Sequence, residues 1–279
     1  MRQVLNWTRG YLRDGGIVQP RLEAESLLAY ALGVDRLHLY LNPDKPLTAE
    51  ERARFREVIK RRRSGIPIQH LIGEVLFYGL RFRVTEDALI PRPETEQLVE
   101  HALENASRGK GIACLDLGTG AGVIAVCLAR YLPEATVTAV DVCAEALELA
   151  RDNAELNGVD DRITFVESNW FDRVTGRFDL VVSNPPYVAE EEMALVSAEV
   201  REHEPHVALD GGRRGIQRIE ELTSELRQHL QPCGTVIMEI GNGQGADVVS
   251  MLEGIGLEET RIEKDLAGRE RFVISRCPS

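Results

Sequence analysis

Apolar and polar positions along the 279-residue chain change their period near residue 66, and that change divides the chain in two. Before it, apolar residues recur every three or four positions, the spacing of one helix face. Residues 19–33 place Pro20 near a first turn, apolar side chains at helical intervals, and Gly33 at the stop, which predicts a helix. Thr48 with Glu51 three residues on is a capping box and predicts a second long helix reaching about residue 64. Shorter helices are predicted near 3–14 and 35–41. Gly65-Ile66-Pro67 then breaks the period, and residues 71–84 alternate around Tyr78-Gly79, as a β-hairpin does. Pro91 and Pro93 impose an extended loop before a helix over 94–105, whose Glu94 and Glu96 complement the helix dipole.

From residue 111 onward short apolar runs alternate with helical periods. Strands are predicted at 112–116, 136–141, 163–167, 178–183 and 234–240, with helices over 123–131, 144–157 and 215–230. Segments 257–263 and 271–276 read as a terminal antiparallel pair. Alternation of this kind implies right-handed crossovers and a parallel sheet. The expected architecture is α/β: a Rossmann-like domain over 87–279 and a small helical domain over 1–70, joined by a hairpin at 71–86.

Composition narrows the function. The net charge of −12, from 45 acidic against 33 basic residues, repels a phosphate backbone, so no direct nucleic-acid partner is expected. One local exception gathers Arg52, Arg54, Arg56, Lys60, Arg61, Arg62 and Arg63, for which a solvated helix face is the preferred explanation. No apolar run nears the ~20 residues of a membrane span, and the N-terminus lacks a signal-peptide pattern, so a cytoplasmic protein without membrane contact is expected. Five cysteines, never in C-x-x-C spacing, read as reduced buried thiols and not as a disulfide framework or zinc site.

Candidate chemistry lies at the ends of the predicted strands, where open α/β sheets bind ligands. Gly118, Thr119, Gly120, Ala121 and Gly122 form a glycine-rich turn between a strand and a helix, which lets backbone approach a ligand and presents helix N-terminal amides. A nicotinamide fingerprint has glycine or alanine at its sixth position, where this chain has Val123, so the glycines alone leave the cofactor open. Asp141 ends the next strand, placed to accept from two ribose hydroxyls or to cap the helix that follows. Asn169 and Trp170 end the third, where Asn169 can bond an adenine edge and Trp170 can pack against it or simply be buried. Asn184-Pro185-Pro186-Tyr187 ends the fourth. Its prolines carry no N–H, so nearby carbonyls are free to face a ligand, and with the Asn184 acceptor and the flat Tyr187 ring the corner suits a planar NH2 group.

Together the glycine turn and this corner resemble an S-adenosylmethionine-dependent amino-methyltransferase. The chain as a whole is similar to the PrmC (HemK) family of glutamine methyltransferases, through its helical N-terminus, hairpin, the loop 90–96, residues 116–122, Asp141, 169–171, 184–187, and Glu204-Pro205 with Ala208-Leu209. The resemblance implies a class I methyltransferase domain that takes a methyl group from S-adenosylmethionine and leaves S-adenosylhomocysteine. The acceptor it implies is the side-chain amide of the glutamine in the Gly-Gly-Gln motif of class-1 peptide chain release factors. It further implies cofactor contacts at Gly118 to Gly122, Asp141, Trp170 and Asn184, and a substrate glutamine held by Asn184, Pro185, Pro186 and Tyr187. Catalysis is expected to rest on Asn184, Pro185 and Tyr187, without a metal, in a monomer. Asn169 stands where relatives often carry Asp, as does Arg214 within a Gly-Gly-x-x-Gly segment. A ribosomal-protein glutamine, or an exocyclic amine of adenine or guanine, poses the same geometric problem to such a corner and is the alternative acceptor.

Overall fold

The computed structural model describes residues 1–106 and 111–279, which form two compact units. Met1–Gly73 with Ala198–His203 make the first, and Glu74–Ser197 with Glu204–Ser279 the second.

The first unit packs α1 (Arg2–Arg13), α2 (Pro20–Leu32), α3 (Arg36–Leu41), α4 (Ala49–Arg63) and α5 (Ile68–Ile72) around Leu12, Leu27, Leu28 and Phe55. Pro20 opens α2, and Gly33 at φ 66° closes it in the left-handed conformation that costs a glycine nothing. Both bonds of the Thr48–Glu51 capping box are made at the start of α4. The basic segment is more than a solvated face, because Arg62 is only 4% exposed and donates to Glu23 and to Glu199 of the Ala198–His203 segment. A buried guanidinium requires such partners.

The second unit begins with a hairpin, β1 (Glu74–Phe77) and β2 (Leu80–Arg83), followed by α6 (Pro93–Asn105), β3 (Ala113–Leu117), α7 (Val123–Tyr131), β4 (Thr136–Asp141), α8 (Ala144–Asn157), β5 (Ile163–Glu167) and β6 (Phe178–Ser183). The short α9 (Ala198–His203) belongs to the first unit. Then come α10 (Gln217–Leu226), β7 (Leu230–Glu239), α11 (Gly245–Gly254), β8 (Glu258–Lys264) and β9 (Glu270–Arg276). The sheet runs β5-β4-β3-β6-β7-β9-β8, with β9 antiparallel to β7 and to β8. Both faces of its centre are covered: Leu180 and Val182 of β6 enter one apolar cluster while Phe178 and Val181 enter the other. That double burial is why these strands read as near-continuous apolar runs.

Several expectations shift. Leu71 and Ile72 lie in α5, which Pro67 precedes and Gly73 ends at φ 81°, so the hairpin is shorter than 71–84. Tyr78 at φ 48° and Gly79 at φ 77° make its turn, and the strained tyrosine is held from outside. Its amide donates to Glu96 Oε1 at 2.6 Å and its carbonyl accepts from the Tyr131 hydroxyl at 2.8 Å, so Glu96 does more than complement a dipole. The helix expected over 215–230 shrinks to α10 because Arg214, at φ 59°, kinks the chain before it and a 3-10 turn follows at Arg227–His229. β7 starts four residues earlier than expected, at Leu230 instead of Gly234. Helix α11 was not anticipated, since glycines at 241, 243, 245, 254 and 256 mask the Val248/Leu252 spacing that buries it. All five cysteines are free thiols, but only Cys114, Cys127 and Cys277 are buried as expected, Cys143 being half-buried and Cys233 exposed, and among the described residues no helix is long and apolar enough to cross a membrane.

Asn153 ties the hairpin and the glycine-rich turn to α8. Fully buried, it accepts from Arg83 N at 2.7 Å and donates to the carbonyls of Arg83 and Ala121 at 3.0 and 2.9 Å. Asn153→Ala strands three backbone groups and is expected to cost about 2–4 kcal/mol in urea denaturation. A loss below about 1 kcal/mol would show that water or a shifted side chain replaces these bonds.

Candidate active site

The carboxyl ends of β3, β4 and β6, with the loops after β5 and before α6, surround a cavity of about 290 Å³. Gly118, Thr119, Gly120, Ala121, Asp141, Asn169, Trp170, Asn184 and Pro186 all line it. Gly122, Pro185 and Tyr187 are not among the lining residues. A Cβ on Gly122 would sit 2.9 Å from the Ala150 Cβ, so that glycine serves the packing of α7 on α8.

Four amides of the turn are engaged within the protein. Gly118 N and Thr119 N both donate to the Val140 carbonyl at 2.9 Å, Gly120 N donates to Asp141 Oδ2 at 2.8 Å, and Gly122 N donates to the Thr119 carbonyl at 2.9 Å. Asp116 braces the same turn from beneath, accepting the Thr119 hydroxyl at 2.6 Å and Ala125 N at 3.0 Å on Oδ2. A phosphate cradle needs amides that remain free. These four are bonded within the protein and are not left for an anion, so what the glycines of the turn offer a ligand is close approach. Gly118 and Gly120, with φ of 74° and 53°, permit that approach.

Asp141 accepts from Gly120 N and, through Oδ1, from Cys143 N at 3.0 Å. The helix cap role falls away, because α8 is capped at Cys143 without a side-chain bond. Each carboxylate oxygen keeps a lone pair, and Asp141 lines the cavity. Burial pushes its carboxyl above the ordinary value against the pull of the Cys143 and Gly120 amides. Trp170 holds φ 44°, places its ring beside Gly118, and donates its indole N–H to Glu221 Oε2 at 3.4 Å. Asn169 is exposed at the cavity rim.

At the corner, Asn184 Nδ2 donates to Thr95 Oγ1 at 3.2 Å. Thr95 in turn donates to Glu239 Oε2 at 2.9 Å, and the Tyr187 hydroxyl donates to Glu239 Oε1 at 3.3 Å. Glu239 ends β7, and β6 places it beside Asn184 through the Ser183–Met238 register. Neither Thr95 nor Glu239 was singled out from the sequence. Their only signal is a hydroxyl in the first turn of α6 and an acidic residue closing an apolar strand.

Backbone beneath the corner is held by the Gly-Gly-x-x-Gly segment. Gly211 N donates to the Val188 carbonyl at 2.9 Å, and a Cβ on Gly211 would meet Tyr187 Cα at 2.8 Å. Gln244 Nε2 joins the carbonyls of Tyr187 and Gly215 at 3.0 and 3.1 Å. Arg214 faces away onto Asp247 at 2.7 Å, so its departure from Asp falls on a surface ion pair. The loop before α6 is pinned in the same manner: Glu204, with a side chain 1% exposed, accepts from Ile90 N and from the Arg92 guanidinium at 3.1 and 2.6 Å.

Known proteins match the chain along nearly its whole length. Residues 3–73 match the PrmC N-terminal domain and residues 93–239 the methyltransferase small domain. A release factor glutamine methyltransferase of Geobacter sulfurreducens is 42% identical over 277 residues, covering 99% of this chain and 96% of that protein. One from Cereibacter sphaeroides is 41% identical over 268 residues, covering 96% and 95%. Among solved structures, a methyltransferase from Pyrococcus furiosus has a TM-score of 0.56 at 22% identity, over 79% of this chain and 100% of that one, which shows a shared fold.

Asp116 makes the brace under the turn testable. Burial pushes its carboxyl from 3.8 up to about 7, so folding disfavours the ionised form and wild-type stability falls as pH rises across that interval. Asp116→Asn keeps an acceptor for Thr119 and Ala125 without titrating. Its stability relative to wild type is expected to rise by roughly 1 kcal/mol or more between pH 5 and pH 8 in denaturant melts. A difference independent of pH would mean that Asp116 does not titrate there.

Proposed function

Since the chain belongs to the release factor glutamine methyltransferase family, we propose that it methylates the side-chain amide nitrogen (N5) of the Gly-Gly-Gln glutamine in class-1 peptide chain release factors, using S-adenosylmethionine. The observation that carries this reading is the Asn184 side chain. Its nitrogen is engaged by Thr95, which leaves Oδ1 as the atom available to an amide N–H in the cavity.

The residues present fit the donor. A cavity at the strand ends, a glycine turn with four of its amides engaged within the protein, a carboxylate at Asp141 with lone pairs left for ribose hydroxyls, and the Asn169–Trp170 wall match a nucleoside carrying a cation better than a pyrophosphate. When bound, S-adenosylmethionine supplies an electrophilic methyl group on a sulfonium. The protein has to make a poor nucleophile attack it. An amide nitrogen shares its lone pair with its carbonyl, so the site must hold it in line and favour the loss of that sharing. Asn184 Oδ1 takes one N–H and the Pro185 carbonyl the other. The lone pair then points along the remaining direction, and positive charge growing on nitrogen meets two negative dipole ends. Tyr187, tethered by its hydroxyl to Glu239 and with its ring centroid 5.8 Å from the Arg271 guanidinium, lies behind the cavity wall and in this reading supports the corner that receives the amide. No general base is assigned, because the nitrogen becomes strongly acidic only once it carries the methyl group. Recognition of the protein substrate is assigned to the helical residues 1–70, which hold no part of the cavity.

Labelled donor with a purified release factor tests the reading. Label on the glutamine of Gly-Gly-Gln is expected, and label on a ribosomal protein but not on the release factor would redirect it. Asn184→Ala is expected to lower turnover by ~10² to 10³, as removal of one preorganised dipole does, with donor affinity changed much less. An alanine variant that turns over at the wild-type rate would end this mechanism. Asp141→Ala is expected to weaken donor binding in calorimetry by roughly 1.5–3 kcal/mol for each charge-assisted bond lost, and an unchanged dissociation constant would remove Asp141 from the donor site.

A further inference from the structure

A threonine hydroxyl has a single proton, and in Thr95 that proton goes to Glu239 Oε2 at 2.9 Å. Its oxygen can therefore only accept from Asn184. The oxygen and nitrogen ends of an asparagine amide have nearly the same shape, so packing alone does not choose between them. The donor–acceptor order running from Glu239 through Thr95 does choose, and it does so across three elements: the end of β7, the first turn of α6 and the loop after β6.

We infer that Thr95 and Glu239 are positioning residues for methyl transfer, which fix the polarity of the Asn184 amide so that its oxygen and not its NH2 group meets the substrate amide. The inference rests on the function proposed above. In the flipped orientation two donors would oppose the donors of a glutamine NH2, and the nitrogen to be methylated would lose an acceptor. Glu239 also holds Tyr187 through its other oxygen at 3.3 Å, so one carboxylate orients both side chains of the corner.

Glu239 is 1% exposed, and the groups that face it come from every element around it. Thr95 and Glu94 belong to α6, Tyr187 to the corner, and Arg271 to β9. Burial, joined by Glu94, raises the carboxyl to about 7 against the opposing effect of Thr95, Arg271 and Tyr187. Above that pH the carboxylate accepts from both hydroxyls. Below it, one oxygen must donate, and donation to Thr95 turns the threonine proton toward Asn184 and favours the flipped amide. Turnover is therefore expected to fall as pH drops through about 7, with donor affinity little changed.

The test compares Thr95→Val, Thr95→Ser and Glu239→Gln with wild type on a release factor, measuring turnover, donor dissociation constant and pH profile. Thr95→Val keeps the shape and loses the hydroxyl, so turnover is expected to fall about tenfold or more with donor affinity within about twofold, the signature of a lost orientation. Thr95→Ser restores the hydroxyl and most of the turnover, and Glu239→Gln loses the acid limb near pH 7. Full turnover in Thr95→Val, a serine variant as poor as the valine one, or an unchanged acid limb in Glu239→Gln overturns the inference. The pH profile of Glu239→Gln decides alone where Thr95→Val does not fold. If wild type leaves the release factor unlabelled, the functional reading fails by itself. The inference is then still read from hydrogen exchange of the Asn184 side-chain NH2 by NMR: slower exchange in wild type than in Thr95→Val supports it, and equal rates overturn it.

Discussion

Parallel register at the centre of the sheet is the constraint on which the site depends. Leu117 of β3 lies opposite Ser183 of β6, and Ser183 opposite Met238 of β7, so three chains end in step. The Ser183 hydroxyl donates to the Leu117 carbonyl at 2.7 Å, closing the ladder where its backbone bonds stop. A slip of one residue would turn Asp116, Asn184 and Glu239 to other faces. Because both faces of these strands are buried, such a slip would also move Leu180, Val181 and Val182 between the two cores, and the register is held by packing as much as by hydrogen bonds.

On that edge the protein buries carboxylates and gives each of them donors. Asp116 receives Thr119 and Ala125 N, Glu239 receives Thr95 and Tyr187, and Glu204 receives Ile90 N and Arg92. Burying a charge is costly unless it is bonded, and the raised carboxyls of Asp116 and Glu239 show that the cost is not fully offset. The return is directional. Each carboxylate is only an acceptor while ionised, so every group around it has its proton assigned, and loops that would otherwise sample several conformations are held in one.

Glycines divide by the same logic. Gly118 and Gly120 line the cavity at positive φ, where a side chain would intrude on a ligand, whereas Gly122 is needed by Ala150 and Gly211 by the backbone of Tyr187. A motif that looks uniform in one dimension thus contains residues that face the cavity and residues that permit two pieces of protein to touch.

How much of this was legible follows from the range of the forces involved. Local pattern sufficed for α7, β4, α8, β5 and β6, whose bounds coincide with the expected ones, because each carries either the apolar period of its own backbone, as the buried face of α8 against its exposed one shows, or an unbroken apolar run. The capping box at Thr48, the Gly33 stop and the loop ends carrying Gly118, Asp141, Trp170 and Asn184 were equally readable, since each is a short-range arrangement of backbone and side chain. Helix α11 was hidden by flanking glycines that serve turns and close packing, and α10 was shortened by a kink at Arg214 that no spacing reveals. Thr95 and Glu239 lie 144 residues apart, and Arg62 and Glu199 lie 137 apart, so no local pattern links them. The sequence by itself determined which strand ends would border the cavity and which residue types would stand there. Only the tertiary structure decided that the amides of the glycine turn bond chiefly to the end of β4, and that the Asn184 amide nitrogen is engaged by Thr95. Both are set by partners brought close through the sheet register, and a hydrogen bond acts over a few ångströms of space regardless of distance along the chain.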